Sequence, residues 1–516
     1  MKGQCEFMRR PRVFITILIS FSMLLSIALA ISYTNPETAP FEKVRDSAYL
    51  PHSLIRIYND TNFSDTALQE GWLGDGSPGN PYIIANYEIN ASGALVGIYI
   101  SNTTVHFKIQ DCRVHDAANL DIFLFNVSNG VLTRDEFVLT KNNGYGIYLK
   151  FSKSCLLETV NSSSNSAHNL YMYYSNDTII RNSTFSHSGS GDGILLSNSN
   201  NNRIENNDCS WNNQYGLRLY DTCNSNIVSN NSALNNQHAI TLDSDCDHNI
   251  VYNNTCAFNT DGILLINSDF NLIQDNSCHD NTYGIDLDFS QHNEIIDNML
   301  DTNIQCSMLI GYDSDDNIIV NNSCSAFMHA IYLYYCTGNE LLNNTCSGSS
   351  NGIILWNAIN NTIRSNTLEQ NNQGIAVYSS SDGNVFSYNM ISNSTSYGIY
   401  LESGQNNDIW NNTFYHNNGT GDAYDPLHIQ AYDSGINNTW NHSGSPHGYG
   451  NWWSDWQTPD NNADGMVDYE YNISGSAGAK DWYPLTTQPV IPEPPIFVLV
   501  IIMTAGFLFV RRKMSR

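Results

Sequence analysis

Four oxygen-bearing side chains near the C-terminus have the spacing of a cation loop: Asp460-x-Asn462-x-Asp464-Gly465-x-x-Asp468. Oxygen ligands at alternate positions, with a glycine for the sharp turn, suit a hard Ca²⁺ ion. An EF-hand would place a bidentate glutamate at its twelfth position, which here is Tyr471, with Glu470 one place early. The pattern predicts a calcium loop with Asp460, Asn462, Asp464 and Asp468 as ligands; an ion-free acidic turn is the alternative. A second pair of carboxylates, Asp286 and Asp288, stands two residues apart. On a strand their side chains would lie about 6–7 Å apart, within glycosidase spacing, which makes them weak candidates for catalysis. A third group is aromatic: Tyr171, Tyr173, Tyr220, Tyr332, Tyr334, Trp356, Tyr378 and Tyr400 recur at matching offsets from a short apolar motif. Flat rings on a rigid strip stack against sugars; rings that only stack on each other to stabilise a rod are the other reading.

What positions these residues is a repeat. Between about 97 and 414 the chain divides into coils of about 22 to 25 residues. Each carries Gly-Ile-x-Leu or a relative, as at Gly146, Gly193, Gly262, Gly352 and Gly398, and each ends a short apolar stretch on asparagine. That second landmark runs through Asn182, Asn207, Asn231, Asn254, Asn276, Asn298, Asn322, Asn344, Asn366, Asn389 and Asn412. Five residues earlier stands another amide column, from Asn202 to Asn407, with Asp177 the one departure. Short alternating apolar runs bounded by Gly, Asn and Ser are strand signals, and no 3.6-residue period is sustained. A unit this small buries its apolar face only by stacking on its copies. The expected fold is therefore all-β: a right-handed, single-stranded parallel β-helix, or solenoid, of about fourteen coils and roughly 65 to 70 Å. Asparagine suits left-handed turn positions, and in-register amides bond to the copies above and below. Alternation puts the aromatic residues on one outer face with Asp243, Asp286, Asp288 and Glu402.

Two residues past the asparagine column, Cys209, Cys256, Cys278, Cys324 and Cys346 share their offset with leucine, isoleucine and phenylalanine. They read as small buried hydrophobes, with cross-coil disulfides such as Cys256–Cys278 or Cys223–Cys246 as the alternative. Acidic residues outnumber basic ones 50 to 22, for a net charge of −28. Such a body repels phosphate backbones, so nucleic acid is excluded as a partner.

The ends predict export and tethering. Lys2, Arg9, Arg10 and Arg12 precede an apolar run to about Ile31 that contains Ala28-Leu29-Ala30, the layout of a signal peptide or uncleaved signal anchor over 1–31. Residues 489–516 form a Pro-rich linker and an apolar stretch, Ile496 to Val510, ahead of Arg511, Arg512 and Lys513. This is a transmembrane helix or a sorting tail, with the body on the extracellular face. Between them lie an N-terminal segment and cap (32–96), the repeats (97–425) and a C-terminal cap with the calcium loop (426–488), where Trp452, Trp453, Trp456 and Trp482 are expected to cover the last coil. Sequons outside the repeat (Asn59, Asn62, Asn90, Asn102, Asn126, Asn418, Asn472) fit a surface glycoprotein.

These repeats, with GDGSPGNPYII from Gly74 to Ile84, resemble the right-handed parallel β-helix proteins of the NosD-like, carbohydrate-binding and sugar-hydrolase repeat class. The stretch from Gly450 to Leu485 is similar to the closing module of archaeal surface-protein members, and the C-terminal tail resembles those cut by archaeosortase-type enzymes. The resemblance implies a cell-surface scaffold with glycans as partners. It also admits polysaccharide lyases, hydrolases and epimerases, so enzyme activity stays open, with non-catalytic binding or display favoured. The copper role that the NosD name implies needs clustered soft or imidazole ligands. His248 and His292 share a column but stand two coils apart, about 10 Å.

Overall fold

The computed structural model describes residues 49–138, 140, 144–442 and 449–490. The expected signal segment at 1–31 and the apolar stretch at 496–510 lie outside the described residues. No helix among the described residues is long and apolar enough to cross a membrane.

The chain winds into a parallel β-solenoid of about fourteen turns. One side is a sixteen-stranded sheet and the next a fifteen-stranded sheet. The third side is built from a five-stranded and a ten-stranded sheet, joined through single bridges at Thr184 and Asp208. Each strand pairs in register with its equivalent one coil on, as Ile263 with Ile285 and Ile285 with Met308. The inward columns, among them Ile240, Ile263, Ile285, Met308 and Ile331, are fully buried and run through the whole rod as one core. Helix Asp60–Glu70 packs Phe63 against Tyr82 and Phe107, with ring centroids 5.1 and 5.3 Å apart.

The asparagines do more than the repeat suggests. Asn276 Nδ2 donates to Asn298 Oδ1 at 3.0 Å and to the Val251 carbonyl at 2.9 Å, while its backbone N–H donates to the same Asn298 oxygen at 2.9 Å. This unit recurs in the column from Asn202 to Asn407, and a third column that the sequence reading missed, through Asn212, Asn236, Asn259, Asn281 and Asn303, keeps the bond from backbone N–H to the next side-chain oxygen. The ladder asparagines are not the left-handed residues. Positive φ falls one place earlier, at Asn206, Asn230, Asn253, Asp275 and Asp297. One residue turns the chain and the next ties the coils together. The landmark also slips by one in its first coil: Ile180, not Ile179, pairs with Ile204, so Ser183 and Thr178 hold the ladder positions assigned to Asn182 and Asp177. Burial decides the register, since Ile180 points into the core and Ile179 does not.

All eleven cysteines among the described residues are buried free thiols. Cys256 and Cys278 are in-register neighbours facing the core, and burial pushes the Cys278 thiol well up. At the C-terminal end the cover differs from the expected four tryptophans. Trp453 is stacked between Phe414 (4.1 Å) and Tyr471 (4.0 Å). Trp440 and Tyr471 are fully buried with it, whereas Trp482 is 57% exposed.

Candidate functional site: the outer face of the sixteen-stranded sheet

Each strand of this sheet reads in–out–in–out, so two columns of side chains stand on its outer face. The first runs Tyr99, Phe123, Tyr148, Tyr171, Leu195, Arg218, Thr241, Leu264, Asp286, Leu309, Tyr332, Ile354, Ala376, Tyr400, Tyr432. The second, two residues on, includes Tyr173, Tyr220, Asp243, Asp288, Tyr334, Trp356 and Tyr378. All eight expected carbohydrate-binding residues are on this face, divided between the two columns.

They do not form one unbroken strip. In the N-terminal part Phe123, Tyr148 and Tyr171 stack at 4.9 Å steps, with interplanar angles of 6° and 1°. In the C-terminal part Trp356, Tyr378, Tyr400 and Tyr432 follow at 5.8, 5.9 and 4.8 Å. Mutual stacking accounts for part of their burial, and it pushes the Tyr148 and Tyr171 hydroxyls up by desolvation. Trp356 (40%) and Tyr220 (39%) remain the most open of the eight.

Between the aromatic segments, over about 34 Å at the strand spacing, charged and polar side chains are interspersed with Leu195, Tyr220, Leu264, Leu309, Tyr332 and Tyr334. Arg218 pairs with Asp243, and its guanidinium lies 4.6 Å from the Tyr215 ring centre and 4.4 Å from that of Tyr220. Burial is the largest single influence and pulls the Arg218 pKa down, but the Asp243 hydrogen bond and the attraction of Tyr215, Asp243 and Asp192 together outweigh it and the net direction is up. His238 stacks on Tyr215 at 5.1 Å, and its Nδ1 lies 2.5 Å from Asp261 Oδ2. The pair therefore presents Nε2 as the ring nitrogen turned from the carboxylate. Asp286 and Asp288 are both outward on strand Tyr283–Asp288 and both buried. The sequence reading placed Asp243, Asp286 and Asp288 here but missed Asp192, Tyr215, His238 and Asp261. These occupy the position just before the apolar motif in successive coils, so extending the column by one residue finds them.

The proposed calcium ligands sit together in an exposed loop, where their oxygens already accept internal hydrogen bonds. Asp460 accepts the Asp464 and Gly465 N–H groups at 3.2 and 3.1 Å, Asp464 accepts that of Met466 at 3.0 Å, and Asp468 accepts that of Asn461 at 2.9 Å. Among the described residues no group of three or more His, Cys, Asp and Glu side chains has the arrangement of a metal site.

Copper fits these residues poorly. Ten of the eleven cysteine thiols among the described residues pack in the core, while Cys306 lies in the outer-face column in register with His329, and the column with His248 and His292 interposes Phe270, stacked 5.3 Å from one imidazole and 4.9 Å from the other. A ring between two imidazoles prevents a shared ion.

Solved structures with similar folds are distant. The A-module of mannuronan C-5 epimerase AlgE6 from Azotobacter vinelandii is 14% identical, over 64% of this chain and 98% of that one, with a TM-score of 0.38. The AlgE4 A-module is 16% identical over 62% and 98%, with a TM-score of 0.38. A tailspike of E. coli bacteriophage HK620, solved with a hexasaccharide, is 10% identical over 64% and 71%, with a TM-score of 0.39. No curated protein is similar enough to the chain to match it. The family model described as "Periplasmic copper-binding protein (NosD)" matches residues 77–260, 220–326 and 259–458, which together span more than half of the chain, so the chain belongs to the NosD family.

Proposed function

We propose that this protein binds or displays glycans along the outer face of the sixteen-stranded sheet, without catalysis, at the outer surface of the cell. The observation that carries the reading is the pair of aromatic segments, Phe123–Tyr148–Tyr171 and Trp356–Tyr378–Tyr400–Tyr432, on one rigid face. Rings held by in-register strands lose little conformational entropy when a sugar stacks on them. Export and membrane tethering rest on the pattern at residues 1–31 and 489–516. Calcium at Asp460, Asn462, Asp464 and Asp468 rests on ligand spacing, and its role would be to brace the closing module.

A second reading, a polysaccharide lyase, hydrolase or epimerase, draws on the stretch between the aromatic segments. The His238–Asp261 pair is a candidate proton-transfer group, on the same face as the carboxylates of Asp286 and Asp288. A glycan array with the full chain, run beside reducing-end and unsaturated-product assays, separates the two. Array binding without product supports the first reading, product supports the second, and neither signal sinks both.

A further inference from the structure

The coil that carries Asp192 breaks the repeat. Its residues 186–191 read Ser-His-Ser-Gly-Ser-Gly and fold back on the preceding coil. Ser190 Oγ donates to the Ser166 carbonyl at 2.8 Å, and Ser188 Oγ to the Gly191 carbonyl at 2.6 Å. Gly191 has to be glycine, because a Cβ there would lie 2.7 Å from His168 Nδ1. This close approach lets the Asp192 backbone N–H donate to His168 Nδ1 at 2.9 Å.

That bond has a consequence for the carboxylate. A ring nitrogen that accepts a hydrogen bond carries no proton, so the 3.4 Å contact between His168 Nδ1 and Asp192 Oδ2 joins two acceptors and is not an ion pair. Asp192 Oδ1 accepts the Tyr215 N–H at 3.3 Å. Oδ2 receives no hydrogen bond among the described residues, although Asp192 is only 1% exposed. A buried carboxylate oxygen without a donor is costly, and native structures rarely leave one unfilled.

A second buried group on the same face lacks a partner among the described residues: Thr241 Oγ1, at 0% exposure. Thr241 stands between Arg218 and Leu264 in the first outer column, and both neighbours are longer side chains. His238 and Asp243 flank it at the two ends of the same strand. The one cation, Arg218, is already held by Asp243. The formal balance of the stretch is Asp192, Asp243, Asp261, Asp286 and Asp288 against Arg218.

Building on the glycan-binding reading, we infer that this stretch takes a glycan bearing protonated amino sugars, with Asp192 Oδ2 accepting an ammonium N–H and Thr241 meeting a hydroxyl of a sugar further along the same chain. Thr241 lies two coils on, about 10 Å along the rod, and three residues further along its strand, about another 10 Å across the face. A charge-assisted N⁺–H···O⁻ bond is about twice as strong as a neutral one. An N-acetylated sugar forfeits it, and a uronate meets the carboxylates with like charge.

The test is calorimetric titration of the full chain, at mildly acidic pH, with glucosamine oligomers, their N-acetylated counterparts and oligouronates of equal length. The glucosamine oligomer is expected to bind about tenfold or more tighter than the N-acetylated one, and to weaken with salt. Asp192→Asn, close in shape, should abolish that preference without lowering the melting temperature. Thr241→Val should weaken every ligand about threefold and leave their order unchanged. Equal affinity for the amino and N-acetyl oligomers, or a preference that survives in a folded Asp192→Asn protein, overturns the inference while leaving the aromatic face as a glycan site. Binding of none of the oligosaccharides overturns the glycan reading itself, and this inference with it.

Discussion

Asn276 and Asn298, one coil apart, share a single oxygen: Asn298 Oδ1 accepts both the side-chain N–H of Asn276 at 3.0 Å and its backbone N–H at 2.9 Å. Asn276 Oδ1 in turn accepts the same two bonds from Asn254, at 2.9 and 3.0 Å. Asn276→Leu therefore strands polar groups on both sides of one buried position. At about 1–3 kcal/mol for each group left unsatisfied, the loss is expected to reach about 3 kcal/mol. Thr345→Leu, at an exposed outward position of strand Thr345–Ser347, should change stability little. Denaturant melts of the two variants check this, and equal midpoints would count against the ladder.

Glycan binding along the aromatic face should depend on rings from both segments. Tyr171→Ala and Tyr400→Ala are each expected to weaken a bound oligosaccharide by about five- to tenfold, or about 1 kcal/mol. Trp211, 53% exposed and stacked on His187 at a turn away from this sheet, serves as the control. If Trp211→Ala costs as much as Tyr171→Ala, the binding surface lies elsewhere.

Stability should fall as pH rises from about 4 towards 7. Asp481 is fully buried in the closing module, and burial pushes its carboxyl up to about 7, although N–H groups of Trp453 (2.9 Å), Asn451 (2.7 Å) and Tyr483 (3.1 Å) pull the other way. The folded state then binds more protons than the unfolded chain in this window. The contribution is full below the unfolded pKa and is lost as pH rises through the folded one. At about 1.4 kcal/mol per pKa unit the loss is on the order of a few kcal/mol. Asp481→Asn should flatten part of this slope, with the raised carboxyls of Asp121 and Asp455 carrying the remainder. Parallel stability–pH curves for variant and wild type would refute the assignment to Asp481.

If the loop at Asp460, Asn462, Asp464 and Asp468 holds calcium in the folded state alone, added calcium raises the melting temperature by mass action. Chelation should lower it and change tryptophan emission, because Trp456 Nε1 donates to the Tyr469 carbonyl just beyond the loop at 3.1 Å. Asp464→Ala should remove the response. A melt that is the same in chelator and in millimolar calcium would leave the loop an ordinary turn, held by its own hydrogen bonds.

The repeat was legible in the sequence because stacking is a local rule applied many times. Each coil needs Ile or Leu inward, a left-handed turn residue and an amide that reaches the next coil, so strands, sheet direction and the core columns follow from spacing alone. The division between turn duty and ladder duty was not legible, since Asp275 turns the chain and Asn276 bonds it, and polar residues of similar kind stand at both places. Nor did spacing reveal the slip at Ile180, where only burial distinguishes it from Ile179.

The site depended more on tertiary structure. Alternation placed Tyr171, Trp356 and Tyr400 on one face, because a strand's side chains must alternate. Which rings stack, and that the aromatic segments are parted by the Arg218–Asp243 and His238–Asp261 pairs, was decided by contacts between coils more than twenty residues apart. The unfilled oxygen of Asp192 was decided by one loop's approach to His168, through a glycine whose sequence context names no partner. Periodicity carries information about what every coil shares; a binding site is made where coils differ, and those differences take their meaning only from the neighbours that the fold supplies.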